Sequence, residues 1–238
     1  MMFQGRFIKR VVILTGAGIS AESGLSTFRD ADGLWEQHDP MEIATPEAFA
    51  RDPALVYRFY NARRKQLASV QPNAAHLALA QLQQAPDAEV FLVTQNVDDL
   101  HERAGSEQVC HMHGELQRMR CQACNSVLPA LVSYDDASIC AHCNTRGKLR
   151  PDIVWFGEMP YHMDLIDLKL ANCDLFVAVG TSGVVYPAAG FVRQAGIQGG
   201  TTLEINKEIS EVSNHFQLHR QGPATSEVTA LVRELLAG

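Results

Sequence analysis

The sequence predicts an α/β fold, a doubly wound parallel sheet with a small cysteine-bearing module inserted into it. Three observations carry this. Short, continuous apolar runs alternate with capped helical stretches along most of the chain. The first apolar run leads straight into a glycine turn, Gly16-Ala17-Gly18-Ile19-Ser20. The alternation then breaks twice, at residues 30–49, which read as loop, and at residues 120–150, which hold two Cys-x-x-Cys pairs.

Each element has its own warrant. The strand expected at Val11–Thr15 opens on the apolar run Val11-Val12-Ile13-Leu14, as in a strand covered on both faces. The glycines after it let backbone approach a pyrophosphate and leave N–H groups for its oxygens. Gly16-x-Gly18-x-x-Ala21 satisfies the relaxed dinucleotide fingerprint, a weak signal alone. The rest of a redox-type unit is missing, because no second strand ending in an acid follows before Pro40. A long loop punctuated by Gly24 and Gly33 stands there instead, a pattern typical of functional lids. From it Phe28 and Arg29 either contact a ligand or form a packed ring and a solvated cation. Asp52-Pro53 opens a helix to about Ser69, Gln71-Pro72-Asn73 stops it, and Asn73 caps the next, through Gln83. Strands are expected at Glu89–Thr94 and Val109–His113, with a helix through Arg103 between them that Asn96 or Asp98 caps. Further strands are expected at Asp152–Phe156, Leu175–Gly180 and Thr202–Ile205. Pro187 opens a helix to about Ala195, and Ser226 caps the last, through Leu236.

The 238 residues, 46% of them hydrophobic, suffice for a large core in one domain or one domain plus an insert. A formal net charge of −7 argues against general nucleic-acid binding. The apolar run after Arg10 is too short for a signal peptide, and no stretch approaches the ~20 apolar residues of a membrane span. A soluble cytoplasmic protein without a membrane partner is expected.

Cys121-x-x-Cys124 and Cys140-x-x-Cys143, with residues 125–139 between them, have zinc-site spacing. Four thiolates close a tetrahedral shell and leave no open position, so the metal is expected to be structural. His142, inside the second knuckle, is a competing ligand or a plain loop residue, and the latter is preferred. Arg118, Arg120, Arg146, Lys148 and Arg150 fit a nucleic-acid-gripping ribbon or, equally, a solvated ribbon surface. Cys110 and Cys173 read as small buried hydrophobes.

Several strings occur together in a specific order: Gly16-Ala17-Gly18-Ile19-Ser20-Ala21-Glu22-Ser23-Gly24, Thr27-Phe28-Arg29, Thr94-Gln95-Asn96-Val97-Asp98, His113-Gly114, the four cysteines, Ile153-Val154-Trp155-Phe156-Gly157-Glu158, Gly180-Thr181-Ser182 and Leu203-Glu204-Ile205-Asn206. In this the chain, from Val11 to about Ala224, resembles the sirtuins, and among them the compact bacterial members. The resemblance implies an NAD-dependent protein-lysine deacylase that consumes NAD, with acylated lysines of proteins as substrates and no long terminal extensions. It implies a Rossmann-like large part, approximately 1–30, 75–118 and 151–238. A small module would comprise a helical piece, 31–74, and a zinc-binding piece, 119–150. A monomer is expected.

The same resemblance assigns residues. NAD would be held by Gly16, Ala17, Gly18, Ser20, Glu22, Phe28, Arg29, Trp35, Gln95, Asn96, Asp98, Gly180, Thr181, Ser182, Asn206, Lys207, Glu208 and Ala224. Gln95, Asn96 and Asp98 also fit on chemistry alone, because they follow a strand's carboxyl end and carry groups that suit ribose hydroxyls and a carboxamide. His113 would be the base that takes a proton from a ribose hydroxyl; His111 is its rival, without the following glycine. Val154, Phe156, Gly157, Glu158, Val184 and Tyr186 would hold the substrate as an added strand.

Tyr60 and Arg63 are three apart on a predicted helix and share a face. In the sirtuin branch that removes acidic acyl groups, such a pair lies in the acyl pocket, where a guanidinium grips a carboxylate. The competing reading is a solvated basic face, with Arg58, Arg64 and Lys65 nearby. Desuccinylase and demalonylase activity beside deacetylase activity is therefore expected, with nicotinamide and O-acyl-ADP-ribose as products. Ser26 and Asp30 depart from residues common in the family and bear on loop behaviour. A protein ADP-ribosyltransferase and a non-enzymatic zinc-ribbon adaptor are the alternatives.

Overall fold

The computed structural model describes residues 1–25 and 39–237. Phe28, Arg29 and Trp35, expected to contact NAD, lie outside the described residues, as do Ser26 and Asp30. In chain order, a hairpin of β1 (Met2–Phe3) and β2 (Arg6–Phe7) precedes β3 (Arg10–Thr15) and the short α1 (Ala17–Ala21). Helices α2 (Pro40–Ile43), α3 (Pro46–Arg51), α4 (Pro53–Ser69) and α5 (Ala74–Gln83) follow. Then come β4 (Glu89–Thr94), α6 (Leu100–Arg103), β5 (Val109–His111), β6 (Gly114–Cys121), β7 (Val127–Pro129) and β8 (Leu149–Ile153). The chain closes with α7 (Met163–Ala171), β9 (Leu175–Val179), α8 (Phe191–Ile197), β10 (Thr201–Asn206), β11 (Leu218–Gln221) and α9 (Ala224–Ala237).

The large sheet has the order β11-β10-β9-β3-β4-β5 and is parallel throughout. From β3 the chain winds one way to β4 and β5 and the other way to β9, β10 and β11. The order therefore reverses between β3 and β9, which places a crevice at their carboxyl ends. Alternate residues of these strands feed two cores. Val11, Ile13, Val177 and Leu203 pack with α5 and α9 on one face, and Val12, Leu14, Phe176 and Ala178 with α7 and α8 on the other. A third core joins Ile43, Phe49, Val56, Tyr57 and Tyr60 to Leu116, Cys121, Tyr134, Cys140, Leu149 and Trp155. It is built over the antiparallel sheet β7-β6-β8.

Several expectations are corrected. Residues 39–49 are not loop. Asp39 and Thr45 cap α2 and α3 through Met41 N and Ala48 N, each with proline in the first turn. The strand expected at Asp152–Phe156 is β8, shifted to Leu149–Ile153, and it pairs with β6 in the small sheet. An apolar run carries no information about which sheet receives it. The expected strand Val109–His113 ends at His111, and His113 sits in the turn before β6. The last helix begins at Ala224. Ser226 does not cap it, because its hydroxyl donates to the Pro223 carbonyl at 3.0 Å.

Candidate active site

The two turns at the switch point are packed backbone against backbone. Gly16 N donates to Val179 O at 2.9 Å and Gly18 N to Gly180 O at 2.8 Å. A Cβ on Gly18 would stand 2.7 Å from Gly180 Cα, and one on Gly16 2.8 Å from Gly180 O. The glycines are thus required for turn-to-turn contact, a different use from the one the sequence suggested. Their own amides are committed to carbonyls, and the exposed Ala17 stands between them. Asn206, at the end of β10, donates to Thr181 O at 2.8 Å, and Gln95 to the Thr181 hydroxyl at 3.1 Å. The ends of β4, β9 and β10 are thereby tied into one rim, with Lys207 and Glu208 exposed beyond it.

Beneath the rim lies a buried polar network. Asn96 Nδ2 donates to Gly16 O and to Ser20 Oγ, both at 3.1 Å. The Ser20 hydroxyl donates to Asp98 Oδ2 at 3.0 Å, while Asp98 Oδ1 accepts from Leu100 N at 3.2 Å. Asp98, one residue before the N-cap Asp99, therefore holds the first amide of α6 and closes the network at once. Burial raises its pKa, and the bonds from Leu100 and Ser20 pull the other way. Ser20 is buried and bonded to both Asn96 and Asp98. Glu22 accepts from Thr225 N at 3.3 Å and from the Thr225 hydroxyl, tying α1 to the start of α9. Ala224 begins that helix and is buried in the core.

The hydrogen bonds separate the two histidines. Nδ1 of His113 faces the Gln95 carbonyl at 3.1 Å. A carbonyl only accepts, so Nδ1 carries the proton and Nε2 keeps a lone pair. Burial lowers the pKa of His113 and the Gln95 bond raises it, with burial the stronger, so the ring is neutral at pH 7. That is the state a general base needs. His113 O also accepts from Val154 N at 2.9 Å, which holds the histidine against the Val154–Glu158 segment.

That segment is braced from below. Arg150 forks onto both Glu158 oxygens at 2.6 and 3.0 Å and donates to Ile153 O. Its guanidinium lies 3.6 Å from the centroid of the Trp155 ring. Glu158 also accepts from Trp155 N at 2.9 Å. Arg150, read as part of a nucleic-acid-gripping or a solvated ribbon surface, is instead a buried clamp, and Arg120 pairs with Asp152. Trp155 Nε1 donates to the Tyr60 hydroxyl oxygen at 2.9 Å. Tyr60 is 3% exposed, and burial pushes its pKa up to about 12, so it stays a hydrogen-bond donor. Arg63 shares the face of Tyr60 on α4, and its pKa is lowered first by burial. Phe156, Gly157, Val184 and Tyr186 are exposed, as a docking edge requires.

Sγ of Cys121 lies 3.7 Å from that of Cys143, and Sγ of Cys124 3.8 Å from that of Cys140. Zinc–sulfur bonds of about 2.3 Å in a tetrahedron put sulfurs about 3.8 Å apart. The four sulfurs therefore fit zinc as they stand, all within 4.8 Å of one another. Both knuckles turn the same way, through Asn125 and Asn144 at φ 59°. His142 is exposed and outside the set. Cys110 and Cys173 are buried thiols with pKa values pushed up to about 11, and are inert.

A crevice of this kind, with its network of amides and one neutral histidine, makes the chain a nucleotide-binding α/β protein with a structural-metal insert. Residues 16–187 match the Sir2 family, and the chain belongs to it. It is 54% identical over 231 residues, 96% of its length, to a protein of Escherichia coli (strain K12) named NAD-dependent protein deacylase, and covers 83% of that relative. A protein of the same name from Vibrio vulnificus (strain YJ016) is 52% identical, with 96% of this chain and 94% of the relative covered. A Sir2 homologue solved with NAD superposes with a TM-score of 0.89 at 40% identity, over 97% of this chain and 90% of the other. A Sir2–p53 peptide–NAD+ structure superposes with a TM-score of 0.82 at 28% identity, over 97% and 95%. No helix among the described residues is long and apolar enough to cross a membrane.

Proposed function

We propose that this Sir2-family protein is an NAD-dependent protein-lysine deacylase that removes acetyl, malonyl and succinyl groups. The observation that carries it is His113, neutral, with Nδ1 committed to the Gln95 carbonyl just beyond β4 and Nε2 keeping its lone pair. The acyl-lysine oxygen displaces nicotinamide from C1′ of the NAD ribose, a ribose hydroxyl then attacks the acyl carbon, and water completes release of free lysine and O-acyl-ADP-ribose. His113 Nε2 takes the proton from a ribose hydroxyl. Asn96, Asp98 and Asn206 orient the nucleotide, and the close-packed turns at Gly16, Gly18, Gly180, Thr181 and Ser182 cradle its phosphates. Val154 to Glu158 and Val184 to Tyr186 take the substrate between them as an added strand, so main-chain bonds tolerate many sequences.

Support for the acidic-acyl reading comes from Tyr60. Its oxygen accepts from Trp155, so its own hydrogen points away from the indole and is available to a second acceptor. A carboxylate-ended acyl chain provides that acceptor, with Arg63 supplying the charge. The test is incubation with NAD and matched acetyl-, malonyl- and succinyl-lysine peptides, with nicotinamide and peptide products quantified. All three are expected to be deacylated, and Arg63→Met to lose malonyl and succinyl activity about tenfold or more relative to acetyl. An unchanged ratio overturns the acyl assignment. Peptide that gains ADP-ribose instead of losing its acyl group overturns the deacylase reading.

A further inference from the structure

His111 lies two residues before His113 and is held in another way. Nδ1 of His111 is 3.2 Å from the Asn96 carbonyl, and Nε2 is 2.8 Å from Glu102 Oε1. Both partners only accept, and a neutral imidazole has a single N–H. One contact of a neutral ring would set lone pair against lone pair, so both bonds require the imidazolium. We propose that His111 is a positioning residue for deacylation, a buried imidazolium that ties the Asn96 carbonyl, within the Gln95–Asp98 segment, to Glu102 on the helix that follows it.

This rests on the deacylase reading above. The carbonyls of Gln95 and Asn96 are consecutive, and each receives an N–H from one histidine, His113 and His111. Met112 N donates to Thr94 O at 3.1 Å and sets the register between them. A turn of the Gln95–Asn96 peptide would remove the carbonyl that fixes the tautomer of His113, and His111 holds the carbonyl of the very next peptide. Glu102, on α6 beyond Asp98, is the other partner of His111.

The groups around His111 come from every element packed on it. Glu102 faces it from α6, Glu115 from β6, and Asp98 from the preceding segment. His101, a neighbour on α6, is held neutral by burial. His111 also borders a cleft of about 410 Å³ with His162 and Tyr161. There Arg118 pairs with Glu115 and Arg120 with Asp152, which blunts both guanidinium charges. Burial lowers the proton affinity of His111, but the hydrogen bond and charge of Glu102, with Glu115 and the Asn96 carbonyl, raise it above the usual histidine range.

Two measurements test this on the whole protein. The first is 15N NMR of the histidine rings in the ligand-free protein. Both ring nitrogens of His111 are expected to carry protons at pH 7, and the His113 resonances to shift as His111 titrates. The second is the pH profile of kcat/KM for an acetyl-lysine peptide in the wild type and in Glu102→Gln. The amide keeps an oxygen for Nε2 but removes the charge, so the alkaline limb should move down by about one pH unit or more. The acid limb, set by His113, should stay. A merely structural contact would lower activity without moving the limb. A neutral His111 at pH 7, or an unmoved alkaline limb, overturns the proposal. A wild type that deacylates no peptide overturns the deacylase reading instead, and the ring titration then decides the charge of His111 by itself.

Discussion

Acid should destabilise this protein through one buried histidine more than through any exposed group. His76 is the third residue of α5 and is completely buried. Asn73 N donates to its Nδ1 at 3.3 Å, closing the capping box, and its Nε2 lies 3.5 Å from Ser20 Oγ. The ring packs edge-on to His101 with centroids 4.9 Å apart. Burial lowers its pKa from 6.5 to about 4. The unfolded chain therefore binds a proton near pH 6.5 that the native state refuses until about pH 4. The stability this contributes is complete above pH 6.5 and disappears as pH falls through 4. At about 1.4 kcal/mol per pH unit, the loss is about 3 kcal/mol, a large share of a typical domain's stability.

Other groups titrate in the same range, and zinc leaves its thiolates in acid, so the comparison must be differential. His76→Gln puts a residue at the same helix position that still completes a capping box and has no proton to gain. Urea unfolding followed by circular dichroism at half-unit steps from pH 7.5 to 4.5 gives both curves. The wild type should lose about 2 to 3 kcal/mol more than the variant across that range. Parallel curves would refute the argument, because they would mean that His76 is protonated as easily in the folded protein as in the unfolded chain.

Three further outcomes follow from the site. His113→Ala should lower deacylation by at least 100-fold with little change in Tm, since among the described residues the ring makes a single hydrogen bond, to the Gln95 carbonyl; near-normal turnover would remove it as the base. Stripping zinc should loosen the third core, which includes Cys121 and Cys140, and change Trp155 fluorescence, while readdition of zinc restores both; loss of turnover with the fluorescence unmoved would point to a catalytic metal. Trp155→Phe keeps the ring over Arg150 but removes the bond to Tyr60, so succinyl-lysine turnover should fall about tenfold relative to acetyl-lysine; equal losses on both substrates would make Trp155 a packing residue only.

The sheet was legible wherever burial on both faces forced an unbroken apolar run. Glu89–Thr94 is found as read, and Val11–Thr15, Leu175–Gly180 and Thr202–Ile205 are found within a residue at each end. The edge strand β11, Leu-His-Arg-Gln, was not, because an edge tolerates charge and alternate exposure removes the run. Strand β6 hid for a related reason: its register slips between Gly114 and Met119, which breaks the period of two. Helices α2 and α3 were a missed reading of a signal already used. Asp39-Pro40 and Thr45-Pro46 repeat the cap-then-proline pattern that located α4 at Asp52-Pro53. Their shortness, four and six residues, left no apolar period to support the caps.

The residue types of the candidate site were legible, but their hydrogen-bond partners were not. Type and order pointed to Ser20, Glu22, Gln95, Asn96 and Asp98 alike, and the fold adds that each of them bonds to a protein group. What separates a ligand contact from a brace is the direction of each hydrogen bond, and that is a property of the fold. The two histidines of His111-Met112-His113 show it most clearly. Their residue type is the same and they stand two apart, but among the described residues one ring meets a single acceptor and the other meets two. That difference, with the burial of His113 and the carboxylate of Glu102 beside His111, separates a neutral ring from the proposed cation. A base must shed its proton near neutral pH, and a cation beside it would normally make that easier by repulsion. Here Glu102 and Glu115 absorb the charge of His111, so the brace can stay protonated while the base, two residues on, stays free to accept.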